Sequence, residues 1–209
     1  MNQGILLYGP PAAGKDTVTA ALAQLDSRYA LFSRLKIGSG KSEGYRMGTP
    51  AQLAELDGHG DVIYRNDRYG NTYVVDRPGL GLAMEGGRIP VLHLGQVAGI
   101  EAVTANYPAA WSTVLVWCSR EATAVRSKGR GDRDTEARLA AWDATEQDLA
   151  INGHLPWDLR VDTEVSSPAD GAALIDQLVR ASVWRSSAEH SSSRARETVT
   201  DPSWTSSQR

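Results

Sequence analysis

Two glycines and a lysine make the strongest chemical statement in this chain. Gly9-Pro10-Pro11-Ala12-Ala13-Gly14-Lys15 follows the apolar run Ile5-Leu6-Leu7-Tyr8 and leads into a helix-like stretch, Thr17 to Leu25. Strand, glycine-bounded loop and helix is the setting of a P-loop, whose backbone N–H groups ring a phosphate while the helix N-terminus adds positive potential. Lys15 is placed to reach β- and γ-phosphates. The expected nucleotide-binding run is therefore Gly9, Pro10, Pro11, Ala12, Ala13, Gly14, Lys15, Asp16 and Thr17, with ATP as the nucleotide. The strict pattern has Ser or Thr after the lysine, because that hydroxyl binds Mg²⁺. Here Asp16 stands there and Thr17 comes one place later. Asp16 and Thr17 are the expected Mg²⁺ residues, since Mg²⁺ takes carboxylate oxygens along with phosphates and waters. The alternative for Asp16 is a favourable charge at the start of a helix.

Phosphoryl transfer asks a protein to position donor and acceptor and to neutralise charge, so several cations should converge on the site. Arg126, Lys128, Arg130, Arg133 and Arg138 cluster around the polar, glycine-rich stretch 127–134. We read this stretch as a lid, with Arg126, Arg130 and Arg138 on the transferring group. A solvated face paired with Asp132, Asp134 and Glu136 is the plainer alternative. A second basic group, Arg34, Lys36, Lys41 and Arg46, follows the second apolar run, and Arg65 and Arg68 precede Tyr69. Of these, Arg34, Lys36, Arg65, Arg68 and Tyr69 are the candidate acceptor-binding residues. His59 and His93 read as structural. No Ser/His/Asp arrangement and no metal-ligand spacing stands out, and the single cysteine, Cys118, reads as a buried strand thiol.

Elements that would carry these residues alternate along the chain. Strand candidates are 4–8, 29–33, 89–94, 113–118 and 159–161. Helix candidates are 15–25, 96–106, 121–128, 135–151 and 168–183. This order predicts a mostly parallel sheet with helices on both faces, and ligands at the carboxyl ends of its strands. Two stretches interrupt it. Residues 35–87 form an inserted lobe containing a hairpin, with its turn over Asn66–Asn71; residues 127–136 form the lid. From Trp184 to the end, Ser-rich composition predicts a disordered tail after a domain spanning 1–183. A net charge of −3 gives no basic footprint for nucleic acid. No run reaches membrane-spanning length and the start lacks signal-peptide character, so a soluble, cytoplasmic protein is expected.

Taken in order, these motifs resemble the guanylate kinase family of P-loop nucleoside monophosphate kinases, over roughly residues 4–178. Gly9 to Lys15 is similar to the family's GPSGAGK. Arg68-Tyr69-Gly70-Asn71 resembles the end of its acceptor-binding hairpin. Arg126 to Asp132, followed by Arg138-Leu139, resembles its lid, and Asp148-Leu149-Ala150-Ile151-Asn152 the stretch before its last strand. Two places depart. Ser33-Arg34-Leu35-Lys36-Ile37-Gly38 replaces the family's Thr-Arg…Pro-Arg phosphate clamp. Val91-Leu92-His93-Leu94-Gly95-Gln96 lacks the two aspartates the family carries before Gln-Gly. The related ribose 1,5-bisphosphate phosphokinases also have Gly-Lys-Asp and lack that pair.

The resemblance implies a three-layer α/β P-loop NTPase fold with a mostly parallel sheet, an inserted acceptor-binding lobe and a lid. It implies ATP and Mg²⁺ as cofactors and γ-phosphoryl transfer to a small phosphorylated acceptor. A nucleoside monophosphate is the first reading and a sugar phosphate the second. The reading from another class is a non-catalytic nucleotide-binding scaffold, against which the retained Lys15 and lid arginines weigh.

Overall fold

The computed structural model describes residues 2–40, 42–68, 70–129 and 135–197, with side chains to residue 182. In chain order the elements are β1 (Gln3–Tyr8), α1 (Lys15–Leu25), β2 (Tyr29–Leu31), β3 (Arg34–Ile37), β4 (Tyr45–Gly48), α2 (Pro50–His59), β5 (Val62–Arg68), β6 (Asn71–Asp76), α3 (Arg77–Met84), β7 (Ile89–Leu94), α4 (Val97–Asn106), β8 (Ala110–Trp117), α5 (Arg120–Gly129), α6 (Thr135–Ile151), β9 (Leu159–Asp162) and α7 (Pro168–Glu197).

β1 shows why the main sheet forms. Its residues Gly4 to Tyr8 are all buried. A strand apolar on both sides must be covered on both faces, which is the condition of a parallel sheet. Side chains alternate, so Ile5 and Leu7 join one core with Val18 and Leu22 of α1 and Ile175 and Val179 of α7. Leu6 and Tyr8 join a second core with Leu80 of α3 and Val97, Ile100 and Val103 of α4. The result is three layers around five parallel strands in the order β2-β7-β1-β8-β9. β1 lies between β7 and β8, so the chain fills one side of the sheet and then the other. The carboxyl end of β1 is therefore the switch point where such folds leave a crevice, and the Gly9–Lys15 loop leaves β1 there.

The lobe is a second sheet of four strands, ordered β4-β3-β6-β5. β5 and β6 are the expected hairpin, but the turn is shorter than predicted. Arg68 pairs with Asn71, so Asn66, Asp67 and Arg68 are strand residues. Two helices went unpredicted. α2 starts with a capping box in which Thr49 accepts from the Gln52 amide and Gln52 answers to the Thr49 amide. α3 is capped by Asp76, which accepts from the Gly79 amide at 2.8 Å. α3 packs into the second core, so the end of the expected insert belongs to the main body.

Two boundaries also differ. Ser127, Lys128 and Gly129 close α5 instead of opening a loop, and residues 130–134 of the expected lid lie outside the described residues. The composition change at Trp184 does not end an element, since the α7 backbone continues to Glu197.

Candidate active site

The carbonyls of the loop after β1 are all engaged. Lys15 Nζ donates to the carbonyls of Gly9 at 2.7 Å and Pro10 at 2.8 Å. The next three carbonyls are each held by a side chain from a distant element. Thr123 Oγ1 donates to Pro11 at 3.2 Å, Arg126 Nη1 to Ala12 at 3.1 Å and Thr163 Oγ1 to Ala13 at 3.0 Å. The Gly14 carbonyl accepts the first α-helical bond of α1, from the Val18 amide. The first amides of a helix have no intrahelical partner, so Lys15, Asp16 and Thr17 present theirs at the loop, the geometry that receives a phosphate. Gly9 is required by space: a Cβ there would stand 1.9 Å from the Val116 carbonyl oxygen. Gly14 and Ala12 adopt positive φ, 93° and 57°, which closes the loop onto α1.

Burial lowers the Lys15 ammonium to about 8, against the nearby charge of Asp16, while Arg68 and Arg34 push it further the same way. Those two guanidiniums belong to the lobe, so positive charge from the lobe acts on the loop's lysine. An arriving phosphate would relieve that repulsion.

Asp16 and Thr17 do not share a site. Thr17 lines a pocket with Gly14, Arg126, Thr163, Ser166 and Pro168, on the α7 side of the loop. Asp16 faces β7 instead, with its Oδ1 3.5 Å from His93 Nδ1 and its side chain 82% exposed. Successive helical residues point about 100° apart, which is why the expected Mg²⁺ pair is split. Asp16 is also the acidic residue in the first turn of α1, where its charge suits the helix N-terminus. An exposed carboxylate beside a phosphate-binding loop fits Mg²⁺, which takes one or two carboxylates with phosphates and waters. Among the described residues there is no cluster of three or more His, Cys, Asp or Glu side chains that could hold a metal unaided.

The lobe sheet sorts its candidates by face. Asn66 lies opposite Tyr73, which lies opposite Lys36, and Arg34 lies opposite Tyr45. With the period-2 alternation, Arg34, Lys36, Tyr64, Asn66 and Arg68 therefore share one face with Tyr45 and Tyr73. Arg34 lies over the Tyr73 ring and donates to Asn66 Oδ1 at 3.4 Å. Arg68, Asn66, Gly95, Gln96, Thr145 and Asp148 line a cleft of about 500 Å³ between the hairpin, the start of α4 and α6. Lys36 is only 3% exposed; it donates to the Ser39 carbonyl at 2.6 Å and stands over Tyr45 and Tyr73. Arg65 falls on the opposite face and donates to Asp57 of α2 at 3.0 Å. It is a surface ion pair and is not at the cleft, against expectation. Tyr69 and Arg130 lie outside the described residues.

Arg126 also differs from its expected role. Its guanidinium is engaged on the Ala12 carbonyl of the loop and on the hydroxyl and carbonyl of Thr163. Arg138 stands half-buried one turn into α6. Cys118 is buried, as expected, with its Sγ 3.3 Å from Thr123 Oγ1.

Sequence reading missed what Asp148 and His93 do. Asp148 Oδ2 accepts from the Tyr8 hydroxyl at 2.7 Å and the Val97 amide at 2.8 Å, and Asn152 donates to its Oδ1. One carboxylate thus joins the end of β1, the start of α4 and α6. Burial, then the bond to Asp148 and its charge, raise the Tyr8 hydroxyl well above the usual range. His93 Nε2 lies 2.8 Å from Thr19 Oγ1 of α1. Burial, with Lys15 nearby, lowers the imidazole to about 4 against the pull of Asp16, so it is neutral near pH 7. The spacing Asp148-x-x-x-Asn152 was a legible signal for the first; nothing local flagged His93.

No family profile and no curated protein matches this chain. Among solved structures, it is similar to a guanylate kinase from Anaplasma phagocytophilum, at TM-score 0.58 and 16% identity over 86% of this chain and 85% of that one. The chain has the α/β P-loop kinase fold of that neighbour, with a mostly parallel central sheet and helices on both sides.

Proposed function

We propose that the protein transfers the γ-phosphoryl group of ATP to a small acceptor that already carries a phosphate, a nucleoside monophosphate first. The observation that carries this is the loop: five carbonyls from Gly9 to Ala13 are taken by Lys15, Thr123, Arg126 and Thr163, and Arg34 and Arg68 of the lobe bear on the Lys15 ammonium. A loop so braced holds a donor, and cations from a second element hold an acceptor phosphate against it.

In the reaction an acceptor phosphate oxygen forms a bond to the γ-phosphorus as the bond from that phosphorus to the β,γ-bridging oxygen breaks, and ADP leaves. Lys15 and the loop amides hold the β- and γ-phosphates. The pocket lined by Thr17, Arg126 and Thr163 would take the donor's nucleoside side. Arg34 and Arg68 would hold the acceptor, and Arg138 of α6 is the remaining candidate among the described residues for the transferring group. Asp16 would hold Mg²⁺, which supplies charge neutralisation across the phosphates. Most of the catalysis is then positioning and electrostatics.

A sugar bisphosphate acceptor is the second reading. It is favoured by Asp16 after the lysine and by His93 where the nucleoside monophosphate branch carries a carboxylate. ADP release from ATP and Mg²⁺, measured over GMP, AMP, UMP, CMP, their deoxy forms and ribose 1,5-bisphosphate, separates the two. ATP binding with no turnover on any acceptor would sink both and leave a nucleotide-binding scaffold.

A further inference from the structure

His93 stands on β7 opposite Leu7 of β1, 16% exposed, between two residues of α1. Thr19 Oγ1 lies 2.8 Å from Nε2, and Asp16 Oδ1 lies 3.5 Å from Nδ1. Two tautomers are conceivable for a neutral ring. With the proton on Nε2, the bare Nδ1 lone pair would face a carboxylate, which is repulsive. With the proton on Nδ1, the Thr19 hydroxyl donates to Nε2 and the N–H lies on the side of the Asp16 carboxylate, so each group has a complementary neighbour. A helical threonine hydroxyl would otherwise bond back to a carbonyl of the preceding turn; here it reaches across to the strand. An exposed carboxylate in a helix's first turn has several rotamers open to it. A ring fixed on a central strand, with its Nδ1 3.5 Å from Oδ1, narrows that choice.

We propose that His93 is a positioning residue, which aims the Asp16 carboxylate for the cation that accompanies the nucleotide, and that Thr19 locks the ring that does so. The inference rests on the kinase reading and deepens its metal position. Ligating carboxylates elsewhere are held by outer partners in this way, and losing such a partner costs about ten- to a hundredfold in metal affinity.

The test uses side chains that copy one ring nitrogen each. In His93→Asn the amide nitrogen takes the place of Nδ1, and in His93→Gln that of Nε2. Thr19→Val keeps the shape at a buried site, touches no ligand and removes the hydroxyl. Mn²⁺ affinity is titrated by electron paramagnetic resonance on each full-length variant with a non-hydrolysable ATP analogue, and the Mg²⁺ needed for half-maximal turnover is measured beside it. His93→Gln should weaken Mn²⁺ binding about tenfold, while Thr19→Val and His93→Asn, which keep a donor at the Nδ1 position and lose only the Thr19 bond, should each lose less. Parent-like Mn²⁺ affinity in His93→Gln would overturn the inference, as would equal losses in the Asn and Gln variants. Asp16→Asn separates the layers. If it leaves Mn²⁺ affinity unchanged, the metal position itself is wrong; if it weakens binding while His93→Gln does not, only the positioning role falls.

Discussion

Arg126 Nη1 donates to the Thr163 hydroxyl at 2.9 Å, and each of these residues also donates to the loop, Arg126 to Ala12 and Thr163 to Ala13. An arginine from α5 and a threonine from the turn after β9 thus meet at the P-loop and brace it together. Thr123, one helical turn before Arg126, extends the brace to Pro11.

Arg126→Ala should therefore act on the donor more than on the chemical step. Hydrogen bonds to charged groups contribute about 1.5–3 kcal/mol, so KM for ATP should rise about tenfold or more, with a smaller fall in kcat. Steady-state kinetics with ATP varied decide it. A loss confined to kcat would instead place Arg126 on the transferring phosphoryl.

Lys15→Ala should fold and fail to react. The ammonium's bonds are to two carbonyls of its own loop, and losing them leaves the two cores intact. Phosphoryl transfer should fall by about a hundredfold or more, the range for a donor aimed at developing charge, with the thermal midpoint close to the parent. Turnover near the parent's would remove the P-loop from the mechanism.

Arg65 and Arg68 lie three residues apart on one strand and should behave oppositely. Arg68→Ala should raise the acceptor KM about tenfold, since its guanidinium lines the cleft and bears on Lys15. Arg65→Ala removes a half-exposed ion pair to Asp57, worth about 1 kcal/mol or less, and should leave kinetics unchanged. Comparable KM changes in both would mean the lobe faces the loop differently.

Asp148→Ala should be the costliest of these for stability. It strips the buried Val97 amide of its partner, at about 1–3 kcal/mol for a group left unsatisfied, while the Tyr8 hydroxyl keeps its bond to the Thr145 carbonyl at 3.2 Å. For a chain of this size the midpoint should drop by about 2–12 °C in a thermal melt. Asp148→Asn keeps an acceptor oxygen and should recover part of it.

Local chemistry made the loop and the main sheet legible. Gly9 and Gly14 meet steric and φ demands that few other residues satisfy. The buried runs at β1, β7 and β8 left a parallel, doubly covered sheet as the arrangement for those strands. Helices α2 and α3 were legible too, through Thr49-Pro50-Ala51-Gln52 and through Asp76 before Pro78, but a glycine-rich, charged lobe masks short capping signals. Which face of β5 meets the cleft was a different matter. Hairpin register sets it, and a turn placed over Asn66–Asn71 hides the alternation that separates Arg65 from Arg68. The brace and the histidine were beyond any local reading. Arg126 meets Ala12 across 114 positions, and His93 meets Thr19 across 74. Such contacts exist because separate strands and helices pack on one sheet, and that packing reflects the whole chain's buried surface, which no short stretch of residues encodes.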